Sequence, residues 1–118
     1  MDKFKKKKLL KISRKKRQRA KISGTSQRPR LSVFKSSKHV FAQVIDDISG
    51  HTIVSASSFE KGNHQVANSD VCKQIGGTLA KRCVDKSISK IVFDTNGNKY
   101  HGRIKAFAEG AREGGLEF

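Results

Sequence analysis

Fourteen of the first 30 residues are lysine or arginine and one, Asp2, is acidic, so this stretch carries a net charge of +13. No core can be built from it. Its few apolar side chains (Phe4, Leu9, Leu10, Ile12, Ala20 and Ile22) scatter around a helix at about 100° per residue instead of collecting on one side. Repulsion between like charges this dense also works against a compact free state. Residues 1–26 therefore read as a basic arm, disordered or partly helical when free, with Ser23-Gly24-Thr25-Ser26-Gln27 as a hinge. Folding is left to residues 27–118, one small domain. From residue 31 onward, 12 basic and nine acidic groups leave a net of only +3.

A cationic stretch of this strength calls for a polyanionic partner, either nucleic acid or an anionic membrane surface. The membrane alternative needs an apolar stripe opposite the charges, which the arm lacks. Nor does the arm contain the apolar run of a secretory signal. Its dense Lys5–Lys8 and Arg14–Arg17 runs leave little room for the amphipathic pattern of a transit peptide. No apolar run approaches bilayer-spanning length. Cys72 and Cys83, eleven residues apart, would sit roughly 16 Å apart on one helix. A disulfide cannot bridge that gap, and no nearby spacing makes them zinc ligands. They read as buried thiols of a protein from a reducing compartment.

Pro29, the single proline, sits just before the first expected strand, where a missing N–H does no harm. Strands are expected at Leu31–Lys35, His39–Asp46 and Thr52–Ser58. The polar turn Lys35-Ser36-Ser37-Lys38 and the turn Asp47-Ile48-Ser49-Gly50 join them into an antiparallel meander. A helix over 68–86 follows, N-capped by Asn68 or Ser69, with Val71, Cys72, Ile75, Leu79 and Cys83 on its buried stripe. Gly76-Gly77 weakens that helix by about 1 kcal/mol per glycine, which close packing against the sheet would offset. Ile88–Asp94 is a fourth strand, parallel to an earlier one because a helix intervenes. Arg103–Glu113 is the last helix, stopped by Gly114-Gly115. The fold class is α/β: a small mixed sheet (three-stranded meander, crossover helix, fourth strand, C-terminal helix) with a basic N-terminal arm.

The run Arg14-Lys15-Lys16-Arg17-Gln18-Arg19-Ala20-Lys21 is too cationic for a plain solvated helix face and asks for phosphates. Phosphate contact gives affinity without choice, so specificity must come from the domain. Two loops qualify. One is the turn Lys35 to His39; the other is Asp94 to Arg103, which gathers the only tyrosine, a histidine, a lysine and an arginine beside Gly97 and Gly102. Tyr100 can stack a base or cap the core, and on composition both readings stand. Asp94 ends a strand, a usual place for a catalytic acid. Asp46, Asp47, Glu60 and Asp70 show no ligand spacing around it, His51 and His64 stand singly, and no nucleophile or phosphate-loop motif is present. An enzyme is not expected; nor are a cofactor, a metal site or a small-molecule substrate.

The stretches RPRLSVFKSSKHVFAQVIDD (Arg28 to Asp47) and FDTNGNKYHGRIKAFAEGAREGGLEF (Phe93 to Phe118) resemble the two signature segments of the bacterial large-subunit ribosomal protein eighteen family. The resemblance runs over essentially the whole chain. It implies an α/β domain of the ribonuclease-H-like class without that class's catalysis. It also implies binding to 5S rRNA and attachment of 5S to 23S rRNA in the central protuberance, with large-subunit ribosomal protein five adjacent. The setting would be the large subunit in the cytoplasm. The RNA-facing residues it implies are Lys8, Lys11, Arg14, Lys15, Lys16, Arg17, Arg19, Lys21, Arg28 and Arg30 on the arm and its junction. Ser36, Lys38 and His39 on the first loop and Lys99, Tyr100, His101 and Arg103 on the second complete the set. One departure is Thr95, where the family usually has arginine, so a charge contact there would pass to Lys99 or Arg103. The competing reading is a general nucleoid-type nucleic-acid binder in which the arm does everything.

Overall fold

The computed structural model describes residues 3–21, 23–58 and 68–118, with backbone alone for Phe4, Ala20 and Lys21; Ile22, Glu60 and His64 lie outside the described residues. The described elements run α1 (Lys3–Lys21), β1 (Arg30–Lys35), β2 (Val40–Asp46), β3 (His51–Ser57), α2 (Ser69–Asp85), β4 (Val92–Asp94) and α3 (Arg103–Glu113).

Alternation sets the faces of the sheet, whose order is β3-β2-β1-β4. Leu31 and Val33 pair with Val44 and Ala42 and turn to the core, while Phe34 pairs with Phe41 on the opposite face. The β1–β2 turn closes through Ser36 N–H to the His39 carbonyl (2.9 Å) and His39 N–H to Ser36 Oγ (3.0 Å). β3 adds to β2 with a bulge at Val44/Ile45. β4 lies parallel to β1, as the intervening helix requires. Helices α2 and α3 cover the core face: Leu79 and Cys83 from one and Ile104, Phe107 and Ala111 from the other are fully or almost fully buried.

Two expectations need correction. β4 is three residues long, not seven, because its ladder with β1 starts at Arg30↔Val92. Pro29 accepts the Val92 N–H (2.9 Å) but has no N–H to return. Below that point the chain changes partner: Ile91 donates to the Glu117 carbonyl (3.2 Å), and Glu117 donates to Ser89 (2.8 Å). The second correction concerns Gly76, which packs on α3 and not on the sheet. A Cβ there would collide with the Phe107 carbonyl and stand 3.0 Å from the Ala111 nitrogen. Gly110 meets the Lys73 backbone from the other side in the same way, so the glycines let two helix backbones touch.

Asn68 is the α2 cap, its side chain accepting the Val71 N–H at 2.9 Å. Cys72 and Cys83 are free and buried. Burial raises both thiols above their usual value, Cys83 to about 11, while Arg103 and Lys35 partly offset the rise at Cys72. The segment read as a hinge is fastened to the β2–β3 turn: Gly24 N–H donates to Asp47 Oδ2 (2.6 Å), and Asp47 N–H donates to the Gly24 carbonyl (3.1 Å).

Candidate nucleic-acid interface

The loop after β4 is built before it can bind anything. Asp94 Oδ1 accepts the Asn96 N–H (2.9 Å), and Asn96 sits at φ 57° with its amide donating to Ser32 Oγ (2.8 Å). Asn98 closes the turn on the Thr95 carbonyl through both its backbone N–H (3.1 Å) and its side chain (2.9 Å). The chain can then turn at Gly97, φ 78°, and lie against the backbone of α1: a Cβ there would stand 2.7 Å from the Lys11 carbonyl. Gln18 Oε1 accepts from both Thr95 Oγ1 (3.1 Å) and Gly97 N–H (3.3 Å). The arm helix and the loop are thus one construction.

A cleft of about 410 Å³ opens between them, lined by Lys7, Leu10, Lys11, Arg14, Lys35, Gly97, Asn98, Lys99 and His101. Five cations and a histidine face it, and no carboxylate does. A neighbouring hollow of about 330 Å³ is lined by Lys8, Lys11, Ile12, Lys15, Phe34, Lys35, Asn96 and Asn98. There the Lys15 ammonium stands 5.6 Å from the Phe34 ring centre. Arg14 and Arg17 border a third hollow, of about 280 Å³, with Asn98. Convergent cations on a rigid concave surface, with Asn amides and an exposed aromatic ring at the edge, suit a phosphate backbone.

The residues named from sequence separate accordingly. Lys11 and Arg14 meet Lys99 and His101 at the first cleft, while Lys8, Lys15 and Arg17 border the two neighbouring hollows. Lys16 is exposed, and Arg28 is exposed ahead of β1 with its N–H donating to Thr25 Oγ1 (3.1 Å). The side chain of Lys21 lies outside the described residues. Ser36, Lys38 and His39 form a separate site at the β1–β2 turn, where His39 Nδ1 lies 3.2 Å from Ser58 Oγ. Tyr100 is 45% exposed, edge-on to Phe93, with its hydroxyl accepting from Arg112 (3.2 Å). It is therefore not a buried core cap. Arg103 opens α3, half-buried.

Two arginines are directed differently. Arg30, expected to face RNA, is turned inward: its Nη1 donates to Asp94 (2.7 Å), and Nε and Nη2 donate to Asp47 (3.0 and 3.1 Å). Arg19 reaches the same Asp47 at 3.5 Å. Asp94 is fully buried in this contact. Thr95, where a charge was in question, serves the arm through Gln18. Lys35 and Asn98 lie within the two loops singled out from sequence but were not among the RNA-facing residues named, and Lys7 was absent from that set. Lys7 stands four residues before Lys11 and seven before Arg14, one stripe of a helix, but only the seating of α1 on the loop shows that this stripe faces the cleft. Among the described residues no group of three or more His, Cys, Asp or Glu could hold a metal ion. No described helix is long and apolar enough to cross a membrane.

Fold and site together define a small cationic α/β protein whose arm helix and β4–α3 loop share a cleft lined by cations. Comparison with known proteins is specific. Residues 5–118 match the family described as ribosomal L18 of archaea, bacteria, mitochondria and chloroplast. Large ribosomal subunit protein uL18 of Lysinibacillus sphaericus is 56% identical over 103 residues, 86% of this chain and 87% of the relative. The uL18 proteins of Chloroherpeton thalassium (54% over 107 residues, 88% and 89%) and Trichodesmium erythraeum (53% over 111 residues, 91% and 92%) are similarly near. The chain belongs to the ribosomal L18 family. It is a structural, non-enzymatic, rRNA-binding constituent of the large ribosomal subunit, and so cytoplasmic.

Proposed function

We propose that this chain binds 5S rRNA and fastens it to 23S rRNA in the central protuberance, beside large-subunit ribosomal protein five. The observation that carries the reading is the cleft shared by α1 and the β4–α3 loop, where five cations and His101 converge without an acid. An arm acting alone would grip any polyanion. A cleft whose second wall is a rigid loop accepts only a strand that reaches both walls. The residues placed on RNA are Lys7, Lys8, Lys11, Arg14, Lys15 and Arg17 with Lys35, Lys99, Tyr100 and His101. Ser36, Lys38 and His39 form a second contact, and Lys16, Lys21, Arg28 and Arg103 flank them. Arg30 is left out, because its guanidinium is already taken up by Asp47 and Asp94.

The test is a hydroxyl-radical footprint of the full-length chain on 5S rRNA, with duplex DNA as competitor at moderate salt. A compact protected region that survives the competitor is expected. Protection spread evenly along 5S rRNA and erased by DNA would show a general nucleic-acid binder instead.

A further inference from the structure

In the densest cationic run of the arm, Arg14 to Lys21, six of eight residues are charged; only Gln18 and Ala20 are not. Gln18 is where the helix meets the domain. One oxygen, Oε1, takes two donors of the β4–α3 loop: the Thr95 hydroxyl at 3.1 Å and the Gly97 N–H at 3.3 Å. Lysine or arginine at this position could only donate, so the Gly97 N–H would lose its acceptor and the Thr95 hydroxyl would have to turn from donor to acceptor. The loop is also shaped to receive the helix, since a Cβ on Gly97 would stand 2.7 Å from the Lys11 carbonyl and 3.1 Å from the Lys15 nitrogen. Lys7, Lys11 and Arg14 lie on the same helical stripe as Gln18, so its seat fixes where their charges stand relative to Lys99 and His101.

We propose that Gln18 is a positioning residue that contacts no RNA itself: with Thr95 and Gly97 it docks the arm at one angle, turning a chain of cations into a cleft of fixed shape, and so converts affinity for any RNA into selectivity for one. This deepens the reading of the chain as a 5S rRNA binder and rests on it.

The decisive variant is Gln18→Lys in the full-length chain, because charge and geometry then pull in opposite directions. Extra charge alone strengthens binding to every RNA and steepens its salt dependence. Loss of the seat predicts that affinity for an unrelated structured RNA rises while affinity for 5S rRNA falls, by about tenfold for the two hydrogen bonds removed. Thr95→Val, which leaves every cation in place, is expected to lower 5S preference as well, and Thr95→Ser to restore it. A gain in 5S affinity for Gln18→Lys, or unaltered preference in Thr95→Val, overturns the proposal.

A second measurement needs no RNA. Trypsin cleavage after Lys11, Arg14 and Lys15 is expected to speed up severalfold in Thr95→Val and to return to the parental rate in Thr95→Ser. Equal cleavage rates in all three proteins would overturn the docking. Failure of the parent chain to prefer 5S rRNA strikes the proposed function, and the proteolysis then decides the role of Gln18 alone.

Discussion

A guanidinium carries five N–H donors in a rigid plane, and Arg30 aims its plane at two carboxylates that neither helix nor hairpin brought together. Asp94 is 64 residues away along the chain and Asp47 is 17 away. The hydrogen bonds from Arg30 hold the Asp47 carboxyl below the usual aspartate range. Burial opposes this, and the Gly24 N–H and the charges of Arg30 and Arg19 add to the lowering. Because the folded-state value lies below the unfolded one, this contribution to stability is complete above the ordinary aspartate range near pH 4. It is lost as pH falls through the depressed value. Asp47→Asn should therefore destabilise the protein at pH 7 by about 1.5–3 kcal/mol, the range for hydrogen bonds to charged groups. The gap between variant and parent should shrink toward pH 3, which urea titrations at the two pH values would measure. The same cluster shows why some site residues could not be read from sequence. Arg30 and Arg14 look alike as charges in a row, and only the fold reveals that one meets carboxylates and the other a cleft.

At the scale of elements, helices α2 and α3 and the hairpin were legible because their periods and caps are local. Asn68, the stripe of α2 and the bounds of α3 follow from residues that are neighbours in sequence. The length of β4 was not, since it depends on Pro29 and Glu117 as pairing partners from distant parts of the chain. Nor was the reason for Gly76, which lies in the backbone of another helix. A contrast between adjacent glycines tests that reason. Alanine improves helix propensity at both positions by about 1 kcal/mol. At Gly77 a Cβ would meet only the Gly110 carbonyl, at 3.9 Å, so Gly77→Ala should raise the melting temperature. At Gly76 the α3 backbone must move, and overpacking of this kind costs about 1–3 kcal/mol. Gly76→Ala should melt lower than the parent, and thermal scans of the two variants would settle the difference in sign.

For the whole molecule, charge was the most legible property and the placement of the arm the least. Composition announces a polyanion partner, but nothing in the run from Lys5 to Lys21 says which side of a helix will face the domain. That is decided by Gly97, an uncharged contact 79 residues from Gln18. Salt dependence is the global test. If the arm and loop together neutralise about six phosphates, 5S rRNA affinity should fall by roughly a thousandfold between 50 and 200 mM salt, borrowing the duplex-DNA scale. Replacing Lys99 by Gln should flatten that slope by about one phosphate, whereas Lys→Gln changes on α2 should leave it alone. Titration at four salt concentrations would show both. The two ties of the arm, Gln18 to the loop and Gly24 to Asp47, also have a mechanical consequence. Gly97 also lies against the α1 backbone as far back as Lys11, leaving about 12 Å of helix from Lys3 to Lys11 at 1.5 Å per residue beyond that contact. Such a rod is a lever. A tilt of about 20° at its fulcrum sweeps the far tip through roughly 4 Å, slightly more than the 3.4 Å axial rise per phosphate along one strand of duplex. An error of a few tenths of an ångström at Thr95 or Gly97 is therefore carried along the rod to every cation ahead of Lys11, so the uncharged seat at Gln18 must be built to the closest tolerance.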